Sequence, residues 1–317
     1  MRSAVISSPR QAELRVTEAP PPIAPDQLRV RVQGCGVCGS NVPVWEGRPW
    51  FHYPLEAGAP GHEGWGIVDE VGVQVKGFHR GDRIAFLSSH AYADYDVTSE
   101  SQTAPLPADV EAIPFPAEPL ACAMNAFERS RIRSGESVAI IGVGFLGALL
   151  TKLSRNAGAH VAAISRRDFA LEIGEQFGAQ QVWRFGDPNV RQSALAWADN
   201  GGFDCVIEAA GLQETLDLAT DLTKERGRMV IAGYHQDGLR HINMQLWNWK
   251  GLDIINAHER DPQIYLGGML AAIDAVVTGA LDPTPLYTHI YPLEDLSRAL
   301  EMARTRPDGF LKALVVA

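Results

Sequence analysis

Cysteine is scarce in this chain. Its 317 residues include four, Cys35, Cys38, Cys122 and Cys205, too few and too unevenly spaced for the disulfide framework of a small secreted domain. Cys35 and Cys38 form one Cys-x-x-Cys with no second pair, which excludes a four-cysteine zinc site. A redox disulfide would need a thioredoxin-like unit around that pair, and none follows. Long apolar runs are missing as well: none reaches the ~18 residues that a membrane-spanning helix needs. Positive charge is in deficit, with 28 Lys and Arg against 38 Asp and Glu and a formal net charge of −10. Such a chain repels nucleic acid and anionic membrane. The first residues, Met1 to Ile6, enter a strand-like pattern with no signal-peptide cleavage site, so a cytoplasmic location is the default expectation.

What is present points to an α/β protein of more than one domain. The length exceeds one ordinary core, and the 30 glycines fit a fold with many tight turns. Up to about Asn125 the chain reads as short strands broken by glycine and proline, with Gln27 to Val32, Gly66 to Val71 and Arg83 to Phe86 as the clearest. Proline clusters at Pro20 to Pro22 and from Pro105 to Pro119 read as loops. From Ser137 the texture changes to strands alternating with helices. Ser137 to Ile141, His160 to Ile164, Gln181 to Arg184, Phe203 to Glu208, Met229 to Ala232 and Leu252 to Ile255 read as strands. Leu146 to Ala157, Phe169 to Phe177 and Leu212 to Leu222 read as the helices between them. That alternation predicts a doubly wound parallel sheet. Helices near Met269 to Val277 and Leu293 to Arg304, then a last strand at Ala313 to Val316, form a tail expected to pack partly on the first domain. The expected boundaries are 1–124, 125–258 and 259–317.

Gly142-Val143-Gly144-Phe145-Leu146-Gly147 follows the first of those strands and opens a helix. In that context Gly-x-Gly-x-x-Gly is a dinucleotide-binding turn: the first glycine allows the bend, the second admits a pyrophosphate, and the third lets helix and strand close up. Phe145 and Leu146 belong to the same turn. At the end of the next strand an acidic residue would grip the ribose 2′-hydroxyl of NAD. Here Ser165-Arg166-Arg167 stands instead, a hydroxyl and two guanidiniums that suit a 2′-phosphate and favour NADP(H). The alternative is a pair of solvated arginines and NAD.

The run Gly61-His62-Glu63-Gly64-Trp65-Gly66, followed by Gly72, Val75 and Gly81-Asp82-Arg83, sets imidazole and carboxylate side by side in a glycine-rich turn. Gly36-Val37-Cys38-Gly39-Ser40 lies upstream. Sulfur, imidazole and carboxylate from separated segments are a ligand set for a zinc ion that keeps one position open. Taken alone, the run is equally a tight turn with a surface histidine.

Gly36 to Ser40, the Gly-His-Glu block from Gly61 to Val75 and Glu118-Pro119-Leu120, all ahead of a dinucleotide turn, together resemble the zinc-containing medium-chain alcohol dehydrogenases, most closely their polyol and sorbitol dehydrogenase branch. The resemblance runs over essentially the whole chain. It implies an N-terminal GroES-like β-rich catalytic domain and a Rossmann dinucleotide-binding domain. It implies that Cys38 and His62 bind a catalytic zinc, with Glu63 as ligand or partner through water, and Glu118 in the place of a second cysteine. Cys122 competes for that role but reads better as a small buried residue. Ser40 matches the hydroxyl that takes the substrate's proton. The implied cofactor set adds Ala210, Gly233 and Lys312, the last at a basic position that meets the pyrophosphate. Departures from the pattern are Asn41 where Asp is usual, which lowers the charge behind the zinc histidine, and Pro43 where a relay histidine often stands, with His52 as a substitute. The structural-zinc lobe is absent, so one zinc per chain is expected. Trp45, Trp50, Phe51 and His52 form either an aromatic substrate wall or a packing cluster, and Trp247 and Trp249 read as interface or core residues.

These readings converge on a zinc-dependent NAD(P)-linked dehydrogenase acting on a secondary alcohol, polyol or sugar-derived hydroxyl, and assembling as a homodimer or homotetramer. A zinc-free quinone or enone reductase of the same fold is the first alternative, and Cys38, His62 and Glu118 together argue against it. A non-catalytic dinucleotide sensor is the second, and the intact Ser40 argues against that.

Overall fold

A computed structural model describes residues 1–18, 20–199 and 201–317. The chain forms two compact units, one from Met1–Ala121 with Arg260–Ala317 and the other from Cys122–Glu259. No helix among the described residues is long and apolar enough to cross a membrane.

The first unit opens with strands β1 (Arg2–Ser8) and β2 (Gln11–Val16), then β3 (Gln27–Gly36), helix α1 (Asn41–Glu46), β4 (Glu63–Val71), β5 (Arg83–Leu87), β6 (Tyr95–Ser99), β7 (Thr103–Pro105) and the start of α2 (Ala117–Ser130). The second unit follows with β8 (Ser137–Ile141), α3 (Phe145–Asn156), β9 (His160–Ser165), α4 (Asp168–Gln176), β10 (Gln181–Arg184), α5 (Val190–Ala198), β11 (Phe203–Glu208), α6 (Gln213–Leu222), β12 (Thr223–Ile231), α7 (Met244–Lys250) and β13 (Asp253–Asn256). The chain then returns to the first unit through α8 (Pro262–Val277), β14 (His289–Pro292), α9 (Leu296–Thr305) and β15 (Ala313–Val316).

In the first unit β1 and β2 form a hairpin, and a larger sheet runs β14-β15-β3-β4-β5-β7 with β6 also on β3. Every pairing in that sheet is antiparallel except β14 with β15. β3 shows why it forms a strand: Leu28, Val30 and Val32 alternate into the core while Arg29 and Arg31 face out. Arg29 is held there by Asp69 and Glu70 on β4, each 2.7 Å away. The end of β3 therefore emerges at a fixed place with Cys35 and Cys38. β15 fixes it from the other side, with Leu314 opposite Gly36 and Val315 opposite Cys35.

The second unit is a six-stranded parallel sheet in the order β10-β9-β8-β11-β12-β13. Its central strands are buried on both faces, as Val138, Ile140, Val161, Ala163, Val206 and Ile207 all are, and this is why they read as continuous apolar runs. The chain winds outward from β8 to β10, then back to β11 and outward to β13. The reversal between β8 and β11 is the topological switch point, where ligands of such sheets bind beyond the carboxyl ends of the strands.

One expectation needs correction. The stretch from Pro105 to Pro119 is not loop throughout, because α2 begins at Ala117 with Pro119 in its first turn. Proline is tolerated there, since its missing N–H belongs to the donors that lack an intrahelical partner.

Candidate active site

The loop after β3 and the turn before β4 bring Cys38, His62 and Glu63 together, with one candidate ligand atom from each lying within 4.8 Å of the others. The His62 Nδ1 lies 2.9 Å from the Pro60 carbonyl. A carbonyl only accepts, so Nδ1 carries the proton and Nε2 is the nitrogen left to ligate. Asn41 is buried, and its Nδ2 donates to the same Pro60 carbonyl at 3.4 Å while its Oδ1 accepts from Cys38 N at 3.2 Å and Tyr92 Oη at 2.9 Å. Asn41 is thus a clamp between the two ligand-bearing segments and makes no direct bond to the histidine.

Glu63 is fully buried, and so is the residue facing it, Lys312. The Lys312 Nζ donates to Oε1 at 2.6 Å and stands 2.5 Å from Oε2. Oε2 itself receives no directed hydrogen bond. Glycine at 36 makes the arrangement possible, because a Cβ there would overlap Glu63 Oε2. The sequence reading sent Lys312 to a cofactor pyrophosphate; the structure turns it inward onto Glu63 instead. Nothing local predicts this, since the two residues meet only through the β15–β3 register, 249 positions apart.

Glu118, half-buried in the first turn of α2, stands outside that three-residue group but acts on it electrostatically. Burial alone would lower the pKa of His62, yet Cys38, Glu118 and Glu63 outweigh it and push the ring up to about 10. Lys312 shows the same balance: burial opposes its charge, and Glu63, Cys38 and Glu118 raise its pKa regardless. In the state that ligates a metal, with a Cys38 thiolate and His62 relieved of its extra proton, the two glutamates and Lys312 leave a formal charge of −2. That charge fits a divalent cation, and the sulfur–imidazole–carboxylate donor set fits zinc.

Ser40 stands at the N-cap of α1, and its side chain makes no capping bond. The aromatic cluster divides. Trp45 is core, with its Nε1 donating to Glu301 at 2.9 Å, and Phe51 packs against the same core. Trp50 remains 57% exposed, and His52 is exposed as well. In the second unit Trp247 joins the core and donates to Thr220, whereas Trp249 is 81% exposed.

The glycine turn of the second unit has the expected division of labour. Gly142 adopts φ 99°, a Cβ on Gly147 would overlap the Gly142 carbonyl, and a Cβ on Gly144 would meet nothing within 4 Å. The open space lies at the start of α3, beside Phe145 and Leu146. A dinucleotide's phosphates fit there. At the end of β9, Ser165 is buried, Arg166 pairs with Glu214 at 2.9 Å and lies over the Phe185 ring, and Arg167 precedes α4. Arg184, not singled out in the sequence, donates to the Arg166 carbonyl and pairs with Asp168.

Sequence reasoning also missed Glu208. It is fully buried at the end of β11, where its Oε1 accepts from Ala210 N, Gly211 N and Thr215 Oγ1 at 2.9, 2.8 and 2.7 Å. His235 Nε2 lies 3.0 Å from Oε2, and Arg240 Nε donates to His235 Nδ1 at 2.8 Å. This network sets the backbone at Ala210, and a Cβ at Gly233 would strike Gly211 N and Glu208 Oε2. Burial works against the Glu208 charge, but His235, Thr215 and the two backbone donors prevail and lower its pKa.

Residues 145–274 match the family model described as zinc-binding dehydrogenase, and residues 24–108 match the alcohol dehydrogenase GroES-like domain. A 2-dehydro-3-deoxy-L-galactonate 5-dehydrogenase of Pseudoalteromonas atlantica is 24% identical over 324 residues, covering 92% of this chain and 93% of its own. A sorbitol dehydrogenase of Halalkalibacterium halodurans is 23% identical, covering 94% of this chain and 95% of its own. The crystal structure of a zinc-binding dehydrogenase assigned as putative, from Sinorhizobium meliloti and bound to NADP, superimposes with a TM-score of 0.86 at 25% identity, covering 100% of this chain and 99% of its own.

Three outcomes follow from this geometry. Lys312→Met strands a buried carboxylate and is expected to destabilise the metal-stripped protein by about 3–5 kcal/mol in urea denaturation, with Glu63→Gln on that background restoring part of the loss. Gly147→Ala is expected to cost about 1–3 kcal/mol, whereas Gly144→Ala leaves the unfolding midpoint in place and weakens dinucleotide binding. Glu208 has a depressed folded pKa, so its contribution is complete above the ordinary value of 4.5 and is lost as pH falls through the lower folded value. The acid-side decline of the urea midpoint is therefore shallower in Glu208→Gln, and identical slopes would contradict the assignment.

Proposed function

The chain belongs to the zinc-binding alcohol dehydrogenase family with a GroES-like domain, and from that premise we propose that it holds one zinc ion at Cys38, His62 and a glutamate and oxidises a sugar-derived or polyol hydroxyl with NADP. The observation that carries this reading is the convergence of Cys38, His62 and Glu63, whose ligand atoms lie within 4.8 Å of one another. Glu63 and Glu118 are the two carboxylates available to complete the set. Zinc supplies the Lewis acidity that lets an alcohol lose its proton near neutral pH, and the nicotinamide supplies the hydride acceptor.

The chain's own residues do the rest. Asn41 holds the Cys38 and Pro60 segments at a fixed separation, so that the sulfur and the imidazole keep their geometry. The Pro60 carbonyl fixes the His62 tautomer. Lys312 faces both Glu63 oxygens and holds the carboxylate in place. The Ser40 hydroxyl, unused in capping, takes the proton from the substrate's hydroxyl and passes it outward. Glycines 142, 144 and 147 and the start of α3 receive the pyrophosphate.

Ser165, Arg166 and Arg167, with Arg184 beside them, support a 2′-phosphate and thus NADP(H). The exposed Arg166–Glu214 pair is weak enough for a phosphate to replace it. The NADP-bound relative from Sinorhizobium meliloti agrees, and the galactonate and sorbitol dehydrogenases support a polyol or sugar-acid substrate. Exposed Leu239, Met244 and Trp249, close in sequence to the edge strand β13, support a homo-oligomer.

The test is metal analysis paired with steady-state kinetics. Wild-type protein is expected to carry one zinc per chain and to prefer NADP over NAD in kcat/KM. Cys38→Ser is expected to lose the metal and at least about a hundredfold in turnover, and Ser40→Ala to keep the metal while losing about 10²–10⁴ in kcat. Full zinc content and full turnover in Cys38→Ser would defeat the proposal.

A further inference from the structure

Arg306 caps the C-terminus of α9 in the left-handed conformation, at φ 45° and ψ 58°. Residues other than glycine seldom adopt that conformation, and it sets the direction in which the side chain leaves the helix. Here it aims the guanidinium at the loop between Cys38 and Ser40: a Cβ built on Gly39 would stand 3.2 Å from Arg306 Nη2. Any larger residue at 39 would push the guanidinium away.

The guanidinium is uncommitted. Its Nε donates to the Ala303 carbonyl at 3.1 Å, and among the described residues neither terminal nitrogen has a hydrogen-bond acceptor or a carboxylate within ion-pair distance. Neighbouring Arg304 is different, since it forks onto both oxygens of Glu301. Lys312, the other cation of the site, is committed to Glu63. Arg306 is exposed to solvent, and the protein around its guanidinium lowers its pKa, opposed by Cys38. A guanidinium whose two terminal nitrogens make no hydrogen bond is open to an anion. The planar fork matches two oxygens of a carboxylate or phosphate.

We propose that Arg306 is a specificity-determining residue that binds an oxyanion, a carboxylate or phosphate carried by a ligand of the Cys38–Ser40 loop. The inference rests on the dehydrogenase reading for the ligand's role, but the binding itself can be measured without turnover. Two sources share this chemistry, an acidic group on the substrate and the diphosphate of the cofactor.

The experiment is isothermal titration of the zinc-loaded wild type, Arg306→Gln and Arg306→Lys with inorganic pyrophosphate, with D-gluconate against sorbitol, and with NADPH. Gluconate and sorbitol differ by one carboxylate at the chain end. Pyrophosphate affinity is expected to fall about tenfold in Arg306→Gln, with Arg306→Lys recovering part of it. A tenfold fall in the gluconate-to-sorbitol affinity ratio assigns the anion to the substrate, and a tenfold fall in NADPH affinity assigns it to the cofactor. Circular dichroism and zinc content check that the variants fold and keep the metal. If no alcohol is turned over but these affinities fall, the dehydrogenase reading fails and the anion site stands. Equal affinities in wild type and Arg306→Gln for every probe, or no binding of any probe to the wild type, would overturn the proposal.

Discussion

A carboxylate buried against an ammonium, Glu63 on Lys312, is the interaction on which the first unit's site depends. Neither group can be charged alone at that depth, because removing one partner of such a pair leaves an uncompensated charge worth several kcal/mol. Together they impose three demands on the fold. β15 must lie beside the end of β3, residue 36 must be glycine, and the turn before β4 must deliver Glu63 directly after His62. Cys38 and His62 acquire their places as a consequence. A buried ion pair is poor evidence of stability in itself. Its use here is electrostatic: it sets a carboxylate beside a sulfur and an imidazole while an ammonium offsets part of their charge.

The second unit solves a different problem with the same means. Glu208 is buried at the carboxyl end of β11, and its oxygens are filled by backbone N–H groups, a threonine and a histidine held by an arginine. Its work is to fix backbone at the switch point of the sheet, next to Ala210 and Gly233. Glu63 faces one ammonium and stands beside a cysteine and a histidine, whereas Glu208 is tied to backbone N–H groups at Ala210 and Gly211. That difference separates a carboxylate placed to meet a cation from one placed to hold a chain in shape.

Much of this was legible in the sequence where the signal is local. The strands of the second unit announce themselves because strands buried on both faces must be apolar throughout, and Gly142 to Gly147 follows one of them directly. Cys38, His62 and Glu63 sit in short motifs whose spacing carries the chemistry. What could not be read depends on register or on distant partners. Lys312 reads as a residue that meets the cofactor pyrophosphate, or as an exposed lysine, until β15 is laid against β3. Trp45 reads equally as a substrate wall or a packing residue until its indole is found bonded to Glu301, 256 positions away. The start of α2 was hidden by prolines that a first helical turn accepts. Arg306 has no sequence signal, since neither its left-handed backbone nor the Gly39 surface beneath it is encoded nearby.

The central claim is that this cysteine-poor cluster is one zinc site, and the zinc K-edge absorption spectrum of the purified protein tests it most directly. The account predicts one metal per chain with a single sulfur neighbour at about 2.3 Å and the remaining nitrogen and oxygen neighbours at about 2.0–2.2 Å. A spectrum with two or more sulfur neighbours, or protein purified in zinc-containing buffer that retains none, would contradict it.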